Sequence, residues 1–192
     1  MKIGLFGGSF APPTIAHMMM VRSAKEQFNL EKVLLIPAKH SPLKTTHTAS
    51  ANDRMVMTVM AAGDIGLEVD MLEMVREDED SFTIDTVKEY KLRYPNDELY
   101  LIMGPDVFFQ FNRFKDSEEI RKLVTFAVQW SNTEDDEEFY PISENVKTFS
   151  TFFSRFDISS TQVRNYIKAG HSCKYLVPET VRLYIEEKGL YK

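Results

Sequence analysis

The sequence predicts a Rossmann-like α/β domain, with a mostly parallel central sheet and helices on both faces. Three observations carry that expectation. Short apolar runs alternate along the chain with segments of helical periodicity, as in a right-handed βαβ series. Three of the runs end in Gly- or Pro-marked loops: Gly7-Gly8-Ser9, Pro37-Ala38-Lys39-His40 and Gly104-Pro105-Asp106. Ligands of open parallel sheets bind at such carboxyl ends. The third is size and make-up: 192 residues, 43% hydrophobic and 27% charged, enough for one domain with one sizeable core.

The elements follow in order. Strands are expected at 3–6, 33–36, 67–71, 99–103 and 124–129, with a sixth near 146–153. A first helix covers 14–28. A second, 52–62, opens at Asn52 as N-cap and stops before Gly63. A third, 83–94, is closed by Pro95, and a fourth, 105–122, breaks at Lys115-Asp116. The acidic run 133–139 is a solvated connection. Residues 157–170, DISSTQVRNYIKAG, form a helix capped by a serine and ended by Gly170. Pro178 suits the first position of a last helix, 178–188. Residues 158–192 thus make a C-terminal helical portion of a single domain, 1–192, with no visible internal boundary.

Composition excludes several classes. A net charge of −6 argues against a broad nucleic-acid surface. Cys173 is the only cysteine, so no intramolecular disulfide or cysteine-based zinc site is expected and a reducing, cytoplasmic compartment fits. The start lacks a secretory apolar region. No apolar run approaches the ~20 residues of a membrane span. No protein-held metal is expected. Trp130 and the FFQF cluster at 108–111 suit core packing better than an interface, and a homo-oligomer stays open.

The first run carries the most chemistry. A strand enters Gly7-Gly8-Ser9, two prolines follow, and Thr14 and His17 stand three apart at a helix start. Glycines let backbone approach a phosphate, and a helix N-terminus offers N–H donors and a positive dipole end. Neither GxGxxG nor GxxxxGK[S/T] is present, which disfavours a redox dinucleotide domain or a P-loop. Lys39, His40 and Lys44 place cations in the second loop, where Lys44 is the stronger phosphate candidate. Ser159, Ser160 and Thr161 with Arg164 exceed what an N-cap needs and suit a pyrophosphate clamp.

These segments resemble the nucleotidyltransferase superfamily with the H/T-x-G-H motif, and within it the bacterial nicotinate-nucleotide adenylyltransferases. The resemblance spans nearly the whole chain. It rests on GGSFAPPTIAH, PAKHSPLK, Asp53-Arg54, SFTIDTV at 81–87, YPNDELYLIMGPD, ISSTQVR and YLVPETVRLYIEEKGLY. It implies direct in-line attack of the 5′-phosphate of nicotinate mononucleotide, a pyridine mononucleotide, on the α-phosphorus of ATP, giving deamido-NAD. Pyrophosphate leaves with Mg²⁺, and no covalent enzyme intermediate forms. By family position His17 stabilises the α-phosphate, with Thr14 also reaching phosphate. Lys44, Ser160, Thr161 and Arg164 hold the β- and γ-phosphates. Gly7, Gly8, Ser9, Phe10 and Ile158 line the ATP, and Gly104 and Asp106 sit at its ribose. Ser81, Phe82 and Thr83 border the acceptor's pyridine ring, and Phe114 stands where the family stacks a tryptophan.

The chain also departs from the pattern. Ala11 replaces an aspartate, Ala16 the motif glycine, Leu43 a histidine, and Ser131 falls where an arginine is usual. Two other readings therefore stay open: the same chemistry on nicotinamide mononucleotide or another acceptor such as phosphopantetheine, and a degenerate, non-catalytic nucleotide-binding protein. The survival of His17, Lys44, the SST run and Arg164 favours catalysis.

Overall fold

A computed structural model describes residues 1–40, 49–77, 80–130, 145–150 and 158–192. In chain order the elements are β1 (Lys2–Gly8), α1 (Ile15–Phe28), β2 (Lys32–Pro37), α2 (Ala51–Gly63), β3 (Glu68–Val69), α3 (Leu72–Val75), α4 (Thr83–Arg93) and β4 (Glu98–Met103). Then come α5 (Pro105–Phe109), a 3-10 turn (Phe111–Arg113), α6 (Ser117–Leu123), β5 (Thr125–Gln129), β6 (Val146–Phe149), α7 (Ser160–Lys168) and α8 (Glu179–Lys188).

The strands form one six-stranded sheet in the order β3-β2-β1-β4-β5-β6. The pairs β1–β4, β2–β3, β4–β5 and β5–β6 are parallel. The cause is visible in the residues. Val33 to Ile36 and Leu99 to Met103 are buried without interruption, as strands covered on both faces must be. This order reverses direction of winding between β1 and β4, which pair from Lys2↔Glu98 to Leu5↔Leu101. That reversal is the switch point at which α/β sheets take ligands. Gly7 lies at the end of β1 and Gly104 directly after β4.

The chain divides into two compact units. The first comprises Met1–Gly7, Met20–Val33 and Phe82–Arg155. Its interior includes an aromatic cluster in which Phe126 meets Phe111 at 4.8 Å and Phe108 at 5.7 Å between ring centroids. The second comprises Gly8–Met19, Leu34–Ser81 and Phe156–Lys192. In it α2 buries Arg54, Met57, Thr58, Ala61 and Ala62 on one stripe, while α8 buries Val181 and Ile185. Asp53 joins these helices: its Oδ1 accepts from the Tyr184 hydroxyl at 2.9 Å. Its carboxyl pKa lies below the ordinary value, because the Ser50 hydroxyl and then Tyr184 donate to the ionised form.

Several expected boundaries move for local reasons. Helix α2 is capped by Ser50 rather than Asn52: Ser50 Oγ accepts from the Asp53 N–H at 3.0 Å. It also runs through Gly63. Pro178 is the N-cap of α8 rather than its first residue, with an extended ψ of 147°. The expected third strand shrinks to Glu68–Val69, and the short helix α3 follows where none was expected. The expected helix 105–122 is interrupted earlier than Lys115-Asp116, because α5 ends at Phe109 and a 3-10 turn covers Phe111–Arg113; Asp116 then takes a left-handed φ of 52° ahead of α6. Of the FFQF cluster, Phe108 and Phe111 are buried while Phe109 is exposed. The acidic run 133–139 lies outside the described residues, as does most of the strand expected beyond Phe149. Among the described residues no helix is long and apolar enough to cross a membrane.

Candidate active site

The loop after β1 has its carbonyls taken up by the protein behind it. Gly8 O accepts from the Ala38 N–H at 2.9 Å, and Ser9 O accepts from Arg54 Nη1 at 2.9 Å. Ala11 O accepts from Arg164 Nη1 at 2.9 Å, and Pro12 O from Ser160 Oγ at 2.8 Å. A trans peptide sets C=O and the following N–H in opposite directions. The amides of Ser9 and Phe10 therefore point away from Ala38 and Arg54, and Ala11-Pro12 is the cis bond of the loop. Phe10 takes a left-handed φ of 46°, uncommon for a bulky residue. Its buried ring meets the His17 ring edge-on at 5.7 Å. That ring also explains Gly8, whose added Cβ would stand 3.1 Å from it. Nothing explains Gly7 in this way: an added Cβ there would find no atom of the described residues within 4 Å, its chain neighbours aside.

Thr14 and His17 form a capping box with histidine in the place usually held by Glu or Gln. The His17 N–H donates to Thr14 Oγ1 at 3.3 Å, and the Thr14 N–H donates to His17 Nδ1 at 3.0 Å. Thr14 is fully buried, and its hydroxyl lies 2.8 Å from Nδ1 and 3.5 Å from the Ile158 carbonyl. Because a backbone N–H can only donate, Nδ1 is an acceptor and the proton of the neutral ring sits on Nε2. Structural capping and a candidate catalytic role thus use opposite edges of one imidazole.

The ISSTQVR segment serves the same loop. Ser159 caps α7 in a capping box with Gln162. Ser160 and Arg164 hold Pro12 and Ala11, and Arg164 Nη2 also donates to Thr161 Oγ1 at 3.1 Å. Ser9, Phe10, Thr14, His17, Ile158, Ser160, Thr161 and Arg164 are therefore brought together by direct contacts. Ser81 belongs to another cluster of this unit. Its Oγ accepts from the Lys39 N–H at 3.0 Å, and its own N–H donates to His40 O at 2.8 Å. Lys39 Nζ is engaged by the Arg76 carbonyl, and His40 by Asp80. Lys44, Leu43 and Ser131 lie outside the described residues.

Within the first unit, Gly104 is buried as N-cap of α5, and an added Cβ would come 2.8 Å from Asp106 Oδ1. The two residues expected at the ribose thus lie side by side at the start of α5. Phe82 is N-cap of α4, with Lys115 Nζ 4.4 Å from its ring centroid. Phe114 is half-buried beside Phe111, 5.2 Å between centroids. Among the described residues no group of three or more His, Cys, Asp or Glu is placed to hold a metal ion.

A family model described as cytidylyltransferase-like matches residues 5–166. The chain belongs to that family. A protein of Exiguobacterium sibiricum named probable nicotinate-nucleotide adenylyltransferase is 36% identical, over all of this chain and 99% of its own. One of Thermus thermophilus with the same name is 35% identical, with both chains covered in full. A solved Plasmodium falciparum nicotinic acid mononucleotide adenylyltransferase complexed with NaAD shares the fold, with a TM-score of 0.80 at 18% identity, covering 99% of this chain and 97% of its own. The resemblance drawn from the motifs is borne out, and the cytidylyltransferase-like chain is a nucleotidyltransferase enzyme.

One residue of this cytidylyltransferase-like site had no role in the sequence reading. Arg54 is 1% exposed. Besides Ser9 O, it donates through Nη1 to Ala38 O and through Nη2 to Lys39 O, both at 2.6 Å. It therefore ties the loops after β1 and β2 to one guanidinium, and burial holds its pKa below the ordinary value. The signal was in the sequence: positions 54, 57, 58, 61 and 62 are one helical stripe, and Arg54 stands on it.

Proposed function

We propose that this nucleotidyltransferase moves AMP from ATP to nicotinate mononucleotide, giving deamido-NAD and pyrophosphate in NAD biosynthesis. The observation that carries the reading is the Thr14–His17 capping box. It puts an N–H donor at the start of an α-helix whose positive end already favours phosphate. The names of the full-length relatives support the same substrate pair.

The acceptor's phosphate oxygen attacks the α-phosphorus in line, and the bond from that phosphorus to the bridging oxygen breaks as pyrophosphate departs. His17 donates from Nε2 to the α-phosphate, where charge develops, with Thr14 fixing its ring. Arg164, Ser160, Thr161 and Lys44 hold the β- and γ-phosphates, whose Mg²⁺ arrives with ATP and leaves with pyrophosphate. Gly7, Gly8, Ser9, Phe10 and Ile158 line the nucleotide, and Gly104 and Asp106 receive the ribose. Ser81, Phe82, Thr83 and Phe114 receive the pyridine ring. The enzyme works in the cytoplasm as one domain, a reading that the free thiol of Cys173 supports.

The decisive assay follows pyrophosphate with ATP, Mg²⁺ and, in parallel, nicotinate mononucleotide, nicotinamide mononucleotide or phosphopantetheine. Fastest release with nicotinate mononucleotide is expected. No release with any acceptor sinks the catalytic reading, and release with another acceptor alone reassigns the substrate.

Gly7 supplies a second test. Among the described residues nothing occupies the space a methyl would take, so Gly7→Ala should leave stability within ~0.5 kcal/mol. If that space receives phosphate, KM for ATP rises about tenfold or more. An unchanged KM would remove Gly7 from the site.

A further inference from the structure

Three buried side-chain polar atoms have no hydrogen-bond partner among the described residues: Ser9 Oγ, Arg54 Nε and Tyr191 Oη. Their residues are 4%, 1% and 7% exposed. Buried polar atoms in folded proteins are nearly all partnered, so three orphans call for a physical cause. All three residues belong to the second unit. Arg54 holds the Ser9 carbonyl through Nη1. The Tyr191 phenol interacts electrostatically with Arg164 and Arg54, the two arginines that grip the loop after β1. Tyr191 reaches this position by an unfavourable route. It takes a left-handed φ of 65° just after the left-handed Gly189 that ends α8. That turn carries a buried aromatic ring on a backbone conformation that bulky residues rarely adopt.

The chemistry of the three atoms defines what they can share. Arg54 Nε–H only donates, whereas the two hydroxyls donate and accept. A single water satisfies the set: it accepts from Nε–H and exchanges two further bonds with Ser9 and Tyr191. Three bonds is the usual number for a buried water.

We propose that one buried water bridges Ser9 Oγ, Arg54 Nε and Tyr191 Oη, and that through it Tyr191 is a positioning residue for the Gly8–Phe10 turn. Tyr191 acts at a distance from the reacting atoms. It fixes the face of Arg54 that does not hold carbonyls, so that the Nη1 and Nη2 bonds to Ser9, Ala38 and Lys39 keep their aim. The kinetic meaning of this rests on the adenylyl-transfer reading; the water itself does not.

Two measurements test it. A crystal structure of the whole protein, at a resolution that shows ordered water, should place one water within hydrogen-bond reach of all three atoms. A dry contact between Tyr191 and Arg54, or a different partner for Arg54 Nε, overturns the proposal. The second measurement is the Kd for ATP, which needs no acceptor and so stands apart from the substrate assignment. Tyr191→Phe keeps the ring and removes the hydroxyl. It should weaken ATP by about two- to tenfold, the worth of one hydrogen bond. Ser9→Ala should weaken it similarly, and the double variant should lose no more than the larger single effect, because both act through one water. Additive losses, or no loss in Tyr191→Phe, overturn the positioning role.

Discussion

Replacing His17 with alanine should lower turnover about 100-fold or more while leaving ATP affinity largely intact, a loss of ~3 kcal/mol of transition-state stabilisation. The geometry separates two contributions of this side chain. Nδ1 accepts from the Thr14 N–H at 3.0 Å and caps α1, worth ~1 kcal/mol of stability. Nε2 carries the proton and is the edge that can meet a phosphate. The alanine variant loses both, so a fall in turnover alone would not say which mattered. His17→Glu divides them. Glutamate at this third helical position is the ordinary capping-box residue, so it should restore most of the stability lost in alanine. It offers a negative charge and no N–H donor, so turnover should fall at least as far. Denaturation curves and steady-state kinetics on the two variants read the two effects separately. Near-wild-type turnover in His17→Ala would take the imidazole out of the chemistry.

The elements that sequence located best are those whose signal is local and repeated. Short apolar runs such as Val33 to Ile36, bounded by a proline, fit strands covered on both faces, and their alternation with helical stripes leads to a parallel sheet. The motif residues Thr14, His17 and Ser160 stand out for a related reason: they lie at helix starts, where side chain and backbone polarity cooperate, and Arg164 follows one turn into α7. What escaped was partnership across the chain. Arg164 reads as a phosphate clamp in the sequence, yet it also grips the Ala11 carbonyl, 153 positions away. The departure at Ala11 is compatible with that contact because the backbone, not the side chain, is held. Asn52 is a good cap by residue type, and so is Ser50, two positions earlier, where α2 is in fact capped. The choice is made by the Asp53 N–H three residues on, which Ser50 can reach. Arg54 was overlooked because an arginine on a helix is ordinarily solvated, and only its place on the apolar stripe argued otherwise.

Arg54→Met should cost about 3–5 kcal/mol of stability, the largest loss expected of a single substitution away from the hydrophobic core. Methionine fills a similar volume, so the loss does not come from a cavity. It comes from the carbonyls of Ser9, Ala38 and Lys39, which lose their donor while remaining inside. Each stranded acceptor costs ~1–3 kcal/mol. Part of the sum is returned, because the guanidinium is itself desolvated, with no carboxylate of the described residues paired to it, and burial lowers its pKa. Arg54→Lys keeps the charge but has a single ammonium in place of a planar fork. It cannot span carbonyls from two loops as well, so an intermediate loss is expected. For a protein of this size the methionine variant should melt about 10 °C lower. Urea titration should show the midpoint fall with little change in slope, since the surface exposed on unfolding is unchanged. Should the methionine variant fail to fold, the lysine variant still orders the outcomes. If lysine were as stable as arginine, charge alone would be sufficient and the fork unnecessary. If methionine were as stable as arginine, the two loops would be held by something other than Arg54. The expected ranking, arginine above lysine above methionine, is the one that follows from a buried donor array whose geometry, more than its charge, joins the turn after β1 to the loop after β2.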